Sequence, residues 1–163
     1  MESAPHGPPS LASTQVQFTW AKAHLSTVYD EVDDGHGVRV VRRHKSRPLA
    51  LVGADDLAAL LAVTHPFTST LSRGDDGQVA VWLDEFAIYG RGDDLDAALE
   101  DLLDEVDTYL AEWEEHLRHA PDHAQRAWWV RRLQLAADRD ARRVLLASSN
   151  DALRVAAATS TST

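Results

Sequence analysis

In TQVQFTW (14–20), Val16 and Phe18 alternate with polar neighbours, the period of a short strand. Across AKAHLSTVYDEVDD the apolar positions Ala21, Leu25, Val28, Tyr29 and Val32 move to helical spacing, and Gly35 with Gly37 ends the run. Two β-branched or apolar runs, 38–41 and 49–52, then flank the polar RRHKSRP, as in a hairpin whose turn is basic. ADDLAALLAVTH reads as a helix opening on Asp55 and Asp56, whose carboxylates suit the positive helix end, and Pro66 lies just past its finish. The order is β-α-β-β-α.

After Pro66 the pattern restarts. FTSTLSR and QVAVWLD alternate on either side of GDDG, a turn signal, and FAIYGRG adds a third short strand ending at glycines. From Asp93 the period changes again: Leu95, Leu99, Leu102, Val106, Tyr109, Trp113 and Leu117 recur at helical spacing and define the longest helix of the chain. APDH breaks it. AWWVRRLQL reads either as a strand with Trp129, Leu133 and Leu135 on one face or as a helix; the fresh helix start in ADRDAR, which opens a helix over about 138–147, favours the strand. The small, polar remainder, 148–163, reads as a flexible tail, and the Pro-rich 1–13 as a flexible arm. The expected fold class is α+β: a small N-terminal domain over 14–65, then a sheet-plus-helices domain over 67–147.

Composition narrows the function. The 163 residues include 44% apolar positions, enough for a real core, and no cysteine, which removes disulfides, thiolate zinc sites and cysteine nucleophiles. With no signal-peptide-like start and no run near the roughly 18 apolar residues of a membrane span, a cytoplasmic location and no membrane partner are expected. The formal net charge is −10, but it is blocked: residues 74–116 carry fifteen Asp or Glu against Arg91 alone, whereas 117–147 carry seven Arg against three acids. Against that background Arg39, Arg42, Arg43, Lys45 and Arg47 crowd the first hairpin. Acidity overall disfavours non-specific nucleic-acid binding, yet a local basic strip can meet phosphates.

The stretch AKAHLSTVYDEVDDGHGVRVVRRHKSRPLALVGADDLAAL resembles the prevent-host-death (Phd/YefM) antitoxins of bacterial toxin–antitoxin pairs, with the helix, the acid–glycine turn, the basic hairpin and the acid-capped helix in the same order over 14–64. The resemblance implies a dimer formed by this unit, operator DNA bound near the first strand and helix start, and a toxin held further along the chain. Carried over position by position, Thr19, Lys22 and His24 stand where the family meets DNA, and Arg42, Arg43 and Lys45 add the hairpin's phosphate-directed charge. Thr19 and Lys22 stand where the family often has Arg, and Lys lacks the bidentate fork of Arg. FTSTLSRGDDGQVAVWLDEFAIYGRGDDLDAALEDLLDEVDTYLAEW is similar to the HicB-like antitoxin fold, which implies a toxin-binding or assembly domain.

The expected function is therefore that of an antitoxin that covers a toxin encoded nearby and represses its own operon, without catalysis and without a cofactor. Toxins aimed at RNA are basic, so the acidic helix face with Asp101, Glu105 and Glu112 is the expected toxin contact, anchored by Trp113 or by Trp128 and Trp129. Two other classes fit the residues: a stand-alone DNA-binding regulator, or a module binding a basic partner through 74–116. His116, His119 and His123 have ligand-like spacing, but Pro121 interrupts their helix and no carboxylate completes a set, so no metal is expected. Asp75, Asp76, Asp84, Asp93 and Asp94 sit where Asp caps helices and turns rather than where it holds magnesium.

Overall fold

The computed structural model describes residues 14–34 and 37–150. The arm 1–13, the tail beyond 150 and the helix-stopping Gly35 lie outside them. The chain divides into two compact units, Met1–Ala59 and Leu60–Thr163.

In the first unit, β1 (Gln15–Gln17) pairs parallel with β2 (Arg39–Arg42), and β2 pairs antiparallel with β3 (Leu49–Leu51), in the order β1-β2-β3. The strand expected over 14–20 stops at Gln17, because Phe18 already belongs to the helical repeat that continues through Ala21. The single helix expected over 21–32 is two, α1 (Phe18–Ala23) and α2 (Leu25–Asp33). They part at His24, whose backbone leaves the helical region at φ −127° and ψ 39° while its ring stacks on Trp20 at 4.6 Å. Val16, Ala21, Val28 and Val41 form the core of this unit, with Trp20 against it. So few residues are below what a three-stranded sheet needs alone. α3 (Ala54–Thr64) follows, opening on Asp55 and Asp56 as expected.

The second unit contains the meander β4 (Ser69–Arg73), β5 (Val79–Leu83) and β6 (Ile88–Gly92), antiparallel in chain order, and α4 (Leu95–Glu115) packs along one face of it. Gly77, at φ +85°, supplies the left-handed residue of the GDDG turn, and the Asp94 carboxylate caps α4 by accepting from Ala97 N at 2.9 Å. Val79, Val81 and Leu83 of β5 meet Leu99, Leu102, Leu103 and Val106 of α4, all buried. At Gly90 the β6 backbone runs directly against α4.

Residues 127–135 correct the strand expectation: they form a helix, α5 (Ala127–Leu135), reached through two 3-10 turns, Leu117–His119 and Ala124–Arg126. Arg131, on the face that alternation would have buried, is exposed, whereas Val130 and Leu133, three apart, enter the core. α6 (Arg139–Ala147) begins as expected, with Asp138 capping Ala141 N at 2.8 Å. Of the expected tail, Ser149 and Asn150 are tied to Ser69, Asn150 Nδ2 donating to its carbonyl at 3.0 Å. None of the described helices is long and apolar enough to cross a membrane.

Candidate functional site

In the first unit the parallel pairing sets Gln17 opposite Arg42, so the basic hairpin lies beside the entry to α1. Arg42 Nε donates to Gln15 Oε1 at 2.8 Å, and the Arg43 guanidinium lies 5.4 Å over the Phe18 ring. Thr19 is exposed next to Phe18, and Lys22 is exposed in the last turn of α1. His24, at the break, donates from Nδ1 to the Trp20 carbonyl at 3.0 Å. Lys45 forms the tip of the hairpin in a left-handed conformation, φ 62°, with Ser46 N bonded to Arg43 O at 3.1 Å. Arg42 and Arg43 are thus held against Gln15 and Phe18 at the entry to α1, while Thr19, Lys22, His24 and Lys45 are each exposed. Gln15 and Phe18, the residues that orient the two arginines, carry no signal in sequence because their partners are more than twenty positions away.

Opposite this charge in chemistry is an open apolar groove of the same unit, about 440 Å³, lined by Leu25, Val28, Tyr29 and Val32 of α2 and by Leu51 and Val52. Leu25 and Tyr29 are largely exposed there.

In the second unit the acids of α4 divide between two faces. On one, Arg139 bridges Glu100 at 3.0 Å, Asp104 at 2.8 Å and Asp107 at 2.9 Å, and Arg143 reaches Asp96 at 2.8 Å and also pairs with Glu100. Arg142 pairs with Asp107. The Glu100 hydrogen bond holds the Arg139 pKa above its ordinary value; partial desolvation opposes this, and Asp104 and Asp107 add to the rise. α6 therefore pairs four of the nine acids of α4 in cis. On the other face Glu105 and Glu112 are exposed and belong to no ion pair among the described residues, whereas Asp101 caps the sheet edge by accepting from Arg91 N at 2.8 Å.

The expected aromatic anchors also separate. Trp113 is 3% exposed and part of the core, so it is not presented to a partner. Trp129 is half-buried and donates from Nε1 to the Pro66 carbonyl at 3.0 Å, with His65 edge-on to its ring. Trp128 is 52% exposed. Beside them Arg132 lies over the Phe67 ring at 4.7 Å and donates to the His65 carbonyl; burial lowers its pKa, and the Glu85 charge counters that. His123 hydrogen-bonds Tyr109 Oη at 2.8 Å instead of joining His116 and His119, and no group of three His, Asp or Glu among the described residues is arranged to hold a metal. The aromatic feature that sequence reasoning passed over is the cross-strand pair Trp82 and Tyr89, with ring centroids 4.4 Å apart. Its signal was the parity of VAVWL, which puts Trp82 opposite in facing to the buried Val79, Val81 and Leu83.

A family model described as an antitoxin of toxin–antitoxin, RelE/RelB, TA system (PHD-like) matches residues 13–148. Among solved structures, one described as the antitoxin part of a proposed toxin/antitoxin system from Syntrophomonas wolfei subsp. wolfei is similar to the chain with a TM-score of 0.68 and 16% identity, over 80% of this chain and 94% of that one. At that identity the likeness is one of fold. No curated protein matches. Because the model spans most of the described residues, the chain belongs to the PHD-like family of toxin–antitoxin antitoxins.

Proposed function

We propose that this antitoxin acts as a Phd/YefM-type repressor in its first unit and as a HicB-like toxin-binding module in its second. The observation that carries the first part is the meeting of Arg42 and Arg43 with the entry to α1 through Gln15 and Phe18. Two guanidiniums beside the exposed Thr19 make a compact phosphate-binding surface, and Lys22 and Lys45 extend it. A dimer, formed through the apolar groove of α2, doubles that surface and gives the small sheet the burial it lacks. Toxin is held at the second unit, where Glu105 and Glu112 remain free to steer a basic surface. The chain works by covering and by repression, in the cytoplasm, with no chemistry of its own.

The test is fluorescence anisotropy of the full chain on duplex DNA from upstream of its own coding region, across a salt series. Each lost phosphate contact removes about 0.9 from the slope of log K against log salt. Replacing Arg42, Arg43 and Lys45 by Ala is expected to weaken binding on all sequences and to flatten the slope by about 2 to 3. A slope equal to that of the wild type would take the hairpin out of the interface.

A further inference from the structure

We infer that the open face of the β4-β5-β6 sheet is a docking surface for a positively charged protein partner, anchored on Trp82 and Tyr89; this rests on the reading of the chain as an antitoxin of a basic toxin, and it moves the anchor from Trp113 to the sheet. The register sets Thr70, Trp82 and Tyr89 side by side, and Ser72, Ala80 and Arg91 in the next row. All six face away from α4, since the alternate residues of β5 are the ones buried against that helix. The result is two large aromatic rings, 39% and 37% exposed, flanked by small side chains over which a partner can approach closely.

Trp, Tyr and Arg are the residue types that dominate binding energy when a partner desolvates them. All three are here: the Arg91 guanidinium lies 5.1 Å over the Tyr89 ring, which holds both in place before any partner arrives. A cleft of about 260 Å³ runs from Trp82 and Arg91 to Asp76 in the β4–β5 turn.

Charge selects the occupant. Of the six carboxylates within residues 74–94, Asp94 caps α4 and Glu85 is half-buried against Thr68 N and the Arg132 charge, which leaves Asp75, Asp76, Asp84 and Asp93 exposed against Arg91. Stacked nucleobases would bring phosphates against those carboxylates, so the platform is unsuited to nucleic acid despite its rings. A second copy docked face to face would oppose two acidic rims. A lysine- or arginine-rich protein surface gains on both counts, with a cation over the free face of Trp82 and others among the rim carboxylates. On the β6 side the outward N–H of Arg91 is already occupied by the Asp101 carboxylate, so docking there uses the face and not that edge.

The experiment is a calorimetric and kinetic titration of the full chain with the basic protein encoded beside it. Trp82→Thr with Tyr89→Thr removes both rings while keeping strand-favouring residues outside the core. The expected result is a Kd raised about 100-fold, with an unchanged far-UV circular dichroism spectrum and an unfolding midpoint lowered only modestly by the loss of one cross-strand aromatic pair. Ser72→Lys, which adds a like charge without touching a ring, is expected to slow association about tenfold, and Ser72→Asp not to slow it; this pair decides the matter should the double variant fold poorly. Glu105→Gln with Glu112→Gln probes the free face of α4 separately. Binding that survives the sheet variants but is lost in the Glu105/Glu112 pair overturns the sheet proposal and leaves the toxin-binding reading standing. No binding by the wild-type chain overturns both. If the sheet variants instead dissolve a self-association of the chain alone in sedimentation, the occupant is a second copy and the proposal is wrong.

Discussion

Gly90→Ala is expected to be among the most damaging single-methyl additions in the chain. A Cβ at Gly90 would lie 2.1 Å from Leu102 N and 2.3 Å from Ala98 O. Both are backbone atoms of α4, one helical turn apart, so no side chain can rotate away and the helix itself must retreat. Restoring ordinary contact requires a shift of roughly 1 Å, and a gap of that size forfeits about a quarter to a half of the dispersion across it. The interface affected is the main core of the unit, where Val81 and Leu83 meet Leu99, Leu102 and Leu103. Overpacking usually costs about 1 to 3 kcal/mol, and a backbone-on-backbone clash belongs at the upper end, so about 3 kcal/mol is expected, or roughly 10 °C in Tm. Equilibrium urea unfolding and thermal unfolding, both followed by far-UV circular dichroism, measure it. Gly77→Ala is the internal comparison: nothing lies within 4 Å of its Cβ, so only the left-handed φ of +85° is penalised, by about 1 kcal/mol. If Gly90→Ala costs no more than Gly77→Ala, the close approach of β6 to α4 is not what requires glycine there.

Trp113→Ala removes a core ring and is expected to cost roughly 3 to 5 kcal/mol, visible as a lowered urea midpoint without partner present; a stable variant that only loses partner affinity would return Trp113 to the surface. Replacing Arg139, Arg142 and Arg143 by Gln breaks the bridges between α6 and α4, each worth about 0.2 to 1 kcal/mol when solvent-exposed, so the loss in unfolding free energy is modest and shrinks at high salt. The same variant uncovers Asp96, Glu100 and Asp107, and stopped-flow association with the adjacent gene's product is expected to quicken at low salt. Leu25→Asp with Tyr29→Asp puts charge into the apolar groove of α2 and is expected to shift the full chain to monomer in sedimentation velocity; an unchanged sedimentation coefficient would place the dimer contact elsewhere.

Elements whose order is carried by near neighbours were legible from the chain. The long helix follows from the 3.6-residue recurrence of Leu95 to Trp113, its start from the Asp94 cap, and the meander from alternation around GDDG with Gly77 free to adopt positive φ. These depend on spacing within a few residues, which is what a sequence displays. The basic hairpin and the antitoxin resemblance were legible for the same reason, and the family model agrees with the coarse form of that reading.

What only tertiary structure decided are the pairings between distant residues. AWWVRRLQL carries apolar positions compatible with two periods, and the helical one wins because it buries Val130 and Leu133 together while leaving Arg131 in solvent. The nine acids on α4 look alike in sequence, yet the three arginines of α6 pair with Asp96, Glu100, Asp104 and Asp107 and leave Glu105 and Glu112 out of any described ion pair. Trp113 and Trp82 are equally bulky, and the fold buries the first under α4's own core while the parity of β5 turns the second outward beside Tyr89. Arg42 and Arg43 became a single surface with the start of α1 only because β1 pairs parallel to β2 across the intervening helices. Which charge is cancelled and which ring is presented is a property of pairs brought together by the fold, and a periodicity read along one strand or helix does not contain it.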